Sequence, residues 1–152
     1  MRLKNVLLVV SDIERSKQFY QELFGLRVLR DFGENVILTE GLVLQEQKSW
    51  ERLIEADIAI GNTSELFFEE HNFDAFLDHL ENYCRGPYEQ KLLNEVCRPV
   101  IEQMKDALRM QAFNCKIDLP NGMFCLFRVN SWEKRTVMLQ DPDGHLIEVA
   151  EA

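Results

Sequence analysis

Few side chains in this chain stand in a local pattern that does chemistry. Four cysteines, Cys84, Cys97, Cys115 and Cys125, all fall between residues 84 and 125. No pair has C-x-x-C spacing and no histidine lies among them, so the usual zinc-ligand spacings are missing. They read as reduced thiols packed as small hydrophobes. His71 and His145 stand beside helix-start and hairpin residues, contexts that favour structural or solvent-exposed roles. His79 follows Asp78 on a helix, and a solvated face accounts for it. Trp50 and Trp132 either line a pocket, where aromatic walls are common, or serve as ordinary packing. Arg135, just before the last hairpin, either binds an anionic ligand or lies at the surface as strand arginines usually do. No Gly-rich phosphate loop and no local Ser-His-Asp motif occurs.

These residues are positioned by elements that the hydrophobic pattern outlines. Leu3 to Val10 reads as a buried strand. Ser11 and Glu14 have capping-box spacing for a helix that follows. Ile13, Phe19, Tyr20, Leu23 and Phe24 give that helix an apolar face, and Gly25 ends it. Strands are expected at Leu26–Arg30, Asn35–Thr39 and Leu42–Gln45, with turns at Gly33–Glu34 and Glu40–Gly41. Trp50 to Ala56 reads as a short helix or loop. The pattern then restarts. Ser64 to Glu69 reads as a strand, and Asn72 caps a helix with Phe73, Phe76, Leu77 and Leu80 on its apolar side. Met123 to Val129 is the candidate for a further strand. Thr136–Gln140, the turn Asp141-Pro142-Asp143-Gly144-His145 and Leu146–Val149 read as a hairpin. Asp12 and Asn72 mark equivalent helix starts sixty residues apart. Two similar units suggest sheets that must cover a face to be stable.

Residues 83–121 interrupt the second unit. Leu92, Leu93, Val96, Cys97, Val100, Ile101, Met104 and Leu108 form an amphipathic helical stripe. Pro99 implies a kink or two helices, with Pro99 near the start of the second. The segment carries a net charge of +1, leaving −10 on the rest of the chain. Its stripe serves as a surface helix on the host sheet, a dimer contact or a pocket lid.

A chain of 152 residues fits one domain, or one with an insertion. Hydrophobic residues make up 46%, which argues against disorder. The net charge of −9 argues against nucleic acid and anionic membrane as partners. The apolar run ending at Val10 is too short to span a bilayer and has no cleavage-site pattern after it, so a cytoplasmic location is expected.

The stretch Met1-Arg2-Leu3-Lys4-Asn5 through Val9-Val10-Ser11-Asp12-Ile13-Glu14-Arg15-Ser16, with Phe19-Tyr20 and Leu23-Phe24-Gly25-Leu26, resembles the first module of the vicinal-oxygen-chelate superfamily. This superfamily includes glyoxalases, bleomycin-resistance proteins and extradiol dioxygenases. The ending Gln140-Asp141-Pro142-Asp143-Gly144-His145-Leu146-Ile147-Glu148-Val149 is similar to that superfamily's last hairpin. The resemblance implies an α+β fold of paired β-α-β-β-β modules, forming a curved mixed sheet around a pocket. Residues 1–60 would form the first module and residues 61–82 with 122–152 the second, with 83–121 a helical insertion. It also implies a small-molecule ligand and a homodimer.

In metal-dependent members of the superfamily four inward-facing residues hold a divalent ion, which acts as a Lewis acid. Here the matching positions read Asn5, Gln45 (or Val43, two residues earlier), Glu65 and Glu148. Both histidines the pattern expects are replaced. This all-oxygen set suits zinc, nickel or iron poorly and a hard ion such as magnesium or manganese weakly. Without a cation, two facing carboxylates repel, one gains a raised pKa, and Glu148 is the expected general base. The first expectation is therefore a protein that binds a small organic molecule without a tightly held transition metal, for sequestration or sensing. Ligand-binding candidates are Asn5, Gln45, Trp50, Trp132 and Arg135. The alternatives are a divalent-metal-dependent lyase, isomerase or dioxygenase using Gln45, Glu65 and Glu148, and an interaction module that docks through the inserted helices.

Overall fold

A computed structural model describes residues 1–61, 64–83, 95, 97–106, 113–119 and 122–152. The chain divides into two compact units, Met1–Gly61 and Asn62–Ala152. The first runs β1 (Val6–Val10), α1 (Ile13–Phe24), β2 (Val28–Asp31), β3 (Asn35–Leu38), β4 (Leu42–Glu46) and α2 (Gln47–Ile54). Its sheet has the order β1-β4-β3-β2, with β1 parallel to β4 and the other pairs antiparallel. The strand therefore begins at Val6 rather than Leu3, and Asn5 precedes it. The helix expected around Trp50 starts three residues earlier, at Gln47.

The start of α1 differs from its expected capping box. Asp12, not Ser11, is the N-cap, and its carboxylate accepts the Arg15 backbone N–H at 3.0 Å. Ser11 Oγ instead accepts from the Arg15 guanidinium, and Glu14 pairs with Lys17. At the other end Gly25 has φ +65, and the amides of Gly25 and Leu26 reach back to the carbonyls of Gln21 and Tyr20. That is the double closure a left-handed residue permits. Helix α1 buries Phe19, Tyr20 and Leu23, and the sheet buries Leu8, Val10, Val36, Leu38 and Leu44.

The second unit runs β5 (Glu65–Glu70), α3 (Phe73–Asn82), α4 (Arg98–Asp106), β6 (Asn114–Asp118), β7 (Phe124–Val129), β8 (Arg135–Gln140) and β9 (Leu146–Glu151). Its order is β5-β9-β8-β7-β6, with β5 parallel to β9. Asn72 caps α3 through the Ala75 amide. The first four strands of this order repeat the plan of the first unit, so the fold is α+β with two β-α-β-β-β modules. Strand β7 supplies the strand expected at Met123–Val129. Strand β6 is additional and lies inside the 83–121 segment expected as a helical insertion, beyond the end of its helical stripe at Leu108. Within it Ile117 is buried and Cys115 half-buried on alternate positions, a period of two rather than 3.6.

Pro99 is the second residue of α4, and Glu95 and Cys97 just before it are in wider, π-type helical turns. Cys97, Ile101 and Met104 of the apolar stripe are fully buried. Leu92, Leu93, Val96 and Leu108, and with them Cys84, lie outside the described residues. Helices α3 and α4 pack together. Arg135 joins them to the sheet: its guanidinium donates to Glu151 on β9, to Asp74 on α3 and to the Met104 carbonyl on α4. The Cys97 thiol is hydrogen-bonded to Cys125 on β7, and that bond together with burial keeps the Cys125 thiol protonated far above the usual range. In the β8–β9 turn His145 Nδ1 lies 2.8 Å from Asp141 Oδ2. Burial disfavours the charged ring, but the Asp141 contact and the charges of Asp141 and Asp143 outweigh it and raise its pKa. Among the described residues no helix is long and apolar enough to cross a membrane.

Gly41 closes the first unit. It has φ +74, and a Cβ there would lie 3.0 Å from the Lys4 carbonyl oxygen. Gly41→Ala therefore meets both backbone strain and a close contact. Urea denaturation should show a loss of about 1–3 kcal/mol; an unchanged midpoint would contradict this role for the glycine.

Candidate functional site

The second sheet carries the site, and strand register decides which side chains meet there. Paired residues on neighbouring strands point to the same face. One row across the sheet reads Glu69, Ala150, Thr136, Arg128; the next reads Phe67, Glu148, Met138, Leu126. Glu65 lies beyond them on β5, opposite Leu146. The other face carries Val137, Leu139, Ile147, Val149, Cys125 and Phe127, all buried. Arg135 alternates with Thr136 and so belongs to that other face, away from the pocket.

On the first face a concavity of about 670 Å³ opens between β5, β9, the end of β7 and the β7–β8 turn. Glu65, Phe67 and Glu69 form one wall and Arg128 and Glu148 the floor. The turn Asn130–Lys134 forms the rim. There Asn130 Oδ1 accepts the backbone amides of Trp132 and Lys134, at 2.9 and 3.0 Å. This side-chain turn presents the Trp132 ring at 74% exposure. Phe67 is half exposed.

Arg128 dominates the floor. Its Nη2 lies 3.0 and 3.1 Å from the two carboxylate oxygens of Glu148. Arg128 is on β7 and Glu148 on β9, so the side chains meet across β8. The Glu148 side chain is only 7% exposed, whereas that of Arg128 is 34% exposed. A buried carboxylate needs such a partner. Glu148 is thus held in an ion pair, and beside it the Glu65 carboxyl has its pKa raised. Partial desolvation lifts it first, then the charge of Glu148, against a lowering by Arg128.

The divalent ion that the resemblance implies does not fit these residues. Both oxygens of Glu148 are engaged by a guanidinium, which supplies the positive charge a metal would bring. Among the described residues no three His, Cys, Asp or Glu side chains form a group that could hold a metal ion.

The pocket brings together three residues singled out from sequence, Glu65, Glu148 and Trp132. Asn5, Gln45 and Trp50 belong to the first unit. Asn5 is exposed ahead of β1. Gln45 accepts from Asn35 Nδ2 at 2.8 Å and donates to Ser49 Oγ at 2.6 Å. Trp50 is half-buried on α2. Register also identifies which residue of the first unit matches Glu148. Glu148 pairs with Phe67, whose counterpart sixty residues earlier is Leu7, and Leu7 pairs with Val43. The matching position is therefore the apolar Val43, not Gln45. Sequence reasoning missed Arg128, Thr136, Phe67 and Lys134. One signal was present: an arginine in the otherwise apolar run Phe-Cys-Leu-Phe-Arg-Val is out of place unless paired.

A family model described as a glyoxalase-like domain matches residues 3–98. Among solved structures, a protein of unknown function from Agrobacterium tumefaciens str. C58 is 27% identical. It aligns over 100% of this chain and 94% of its own, with a TM-score of 0.66. A glyoxalase-related enzyme from Fulvimarina pelagi is 16% identical over 99% of this chain and 88% of its own, with a TM-score of 0.56. A bleomycin-binding protein complexed with bleomycin is 13% identical over 100% and 99%, with a TM-score of 0.54. The last two show a shared fold alone. No curated protein matches the chain.

Two expectations follow from the floor of the pocket. Arg128→Met strands a buried charge on Glu148 and should cost about 2–3 kcal/mol near pH 8 by chemical denaturation. Replacing both partners, Arg128→Met with Glu148→Leu, should recover most of that loss; no recovery would contradict the ion pair. Glu65 has its folded pKa raised above the ordinary carboxylate value, so its ionised form is penalised in the native state. Its penalty is absent below the unfolded pKa and appears as pH rises through the folded one. Glu65→Gln should therefore raise Tm slightly at pH 7–8 and leave it unchanged below pH 4. The effect is small because the residue is exposed. A destabilised variant at pH 8 would contradict the repulsion.

Proposed function

Since the chain belongs to the glyoxalase-like domain family, we propose that it binds a small organic molecule in the pocket of its second unit, without a tightly bound transition metal. The observation that carries the reading is the Arg128–Glu148 pair. The position where the superfamily keeps a metal-binding carboxylate is Glu148, and both of its oxygens face a guanidinium. Arg128 takes the electrostatic place of a metal and leaves the pocket open beside it. The exposed Phe67 and Trp132 rings add apolar surface to the walls, and a concavity of about 670 Å³ is the size of a drug-like ligand.

The fold shared with a bleomycin-binding protein complexed with bleomycin supports a binding role, either sequestration of a toxic molecule or sensing of a metabolite. Fold alone does not choose between these, and among the described residues no acidic, histidine or cysteine cluster favours a metal-assisted lyase, isomerase or dioxygenase.

The test is elemental analysis of the purified protein, then thermal unfolding against magnesium, manganese, zinc, nickel and a panel of small organic molecules. An organic ligand at a hundredfold excess over its Kd should add about 2.7 kcal/mol of stability, and Trp132→Ala should abolish that gain. One manganese or zinc bound tightly per chain and lost in Glu148→Ala would sink the proposal.

A further inference from the structure

Two polar side-chain atoms among the described residues are buried without any hydrogen-bond partner: Arg128 Nε and Thr136 Oγ1. They belong to residues paired directly across β7 and β8, on the pocket face of the sheet. Thr136 is 0% exposed. Its burial follows from the geometry of the floor. To reach Glu148 on β9, the Arg128 side chain must cross β8, and Thr136 is its neighbour on that strand. The guanidinium is held at one nitrogen only, since Nη2 makes both contacts to Glu148 and Nη1 makes none among the described residues.

We infer that Arg128 and Thr136 form a seat for an uncharged acceptor oxygen, the carbonyl of an aromatic amide or ketone. This rests on the ligand-binding reading above and names the chemistry of its ligand. Buried donors left unmade are costly, and native proteins rarely keep them. A guanidinium N–H can only donate, and a hydroxyl can donate as well. A carbonyl oxygen has two lone pairs and accepts from both. Both donor atoms are closed to solvent and Thr136 does not line the concavity, so a ligand would occupy the seat only by displacing the Arg128 side chain, one third exposed, from over Thr136.

The charges around the seat exclude the alternatives. An organic cation brings donors to donors. A carboxylate would enter beside Glu65 and Glu69, since Glu148 and Glu151 are paired with Arg128 and Arg135, and Lys134 is then the one lining cation left to meet it among the described residues. An uncharged carbonyl meets neither objection. The exposed faces of Phe67 and Trp132 then take the aromatic body of the ligand.

The test uses three probes of one shape: 1-naphthylacetamide, 1-naphthylacetate and 2-(1-naphthyl)ethylammonium, titrated calorimetrically into the full chain. The amide should bind at least tenfold more tightly than either charged analogue. Thr136→Val, nearly isosteric, should act in two opposite directions. It should raise the Tm of the free protein, because an unpartnered hydroxyl is removed, and weaken the amide about five- to tenfold. Thr136→Ser, which keeps the hydroxyl, should retain binding. Amide affinity unchanged in Thr136→Val overturns the seat. Tightest binding of the acetate or the ammonium overturns it too, but leaves the ligand pocket standing. If no probe binds the folded protein, the seat and the pocket reading fall together.

Discussion

A guanidinium that crosses one strand to reach a carboxylate on the next sets the character of the second unit. Ion pairs between immediate neighbours on a sheet are common and weak. The contact between Arg128 and Glu148 is different, because it passes over β8 and because one partner is nearly sealed from water. It neutralises Glu148 in place and covers Thr136. It also holds the repulsion felt by Glu65 below what two bare carboxylates would produce. Removing the arginine would change the charge, the depth and the proton affinity of the concavity together. The pocket is organised by a resident cation belonging to the chain itself.

The architecture was legible because both units announce their helices in the same way. Asp12 and Asn72 sit at the same step of two repeats, and the closing hairpin has a turn few other sequences would specify. Boundaries were less legible. Ser11 and Asp12 are both good caps, and only the local geometry decides that Asp12 accepts the Arg15 amide. Strand β6 was hidden because a five-residue run with two apolar positions is outweighed by the strong helical stripe before it. The site was half legible. Glu65, Glu148 and Trp132 could be named from pattern, but Arg128 enters through pairing two strands away, and linear spacing does not encode that. Gln45 and Val43 lie two residues apart on one strand face, which linear spacing does not separate, and the register favours Val43.

That last point exposes an asymmetry between the repeats. Where the second unit places Glu148, the first places a buried valine, and its nearest amide, Gln45, is spent on Asn35 and Ser49. At this one position the second unit carries a charged group and the first an apolar one. Substitutions at corresponding positions should thus act differently, through folding in the first unit and through recognition in the second.

The thiol pair under the helical layer gives the second unit an internal reporter. Cys97 precedes α4, Cys125 lies mid-strand on β7, and both are fully enclosed. A protonated, enclosed thiol is inert to alkylation until the layer above it lifts. The rate at which an alkylating reagent labels Cys125 therefore measures how often its enclosure, Cys97 included, opens to solvent. The back of the sheet thus carries a clock for its own breathing, read without touching the pocket on the opposite face.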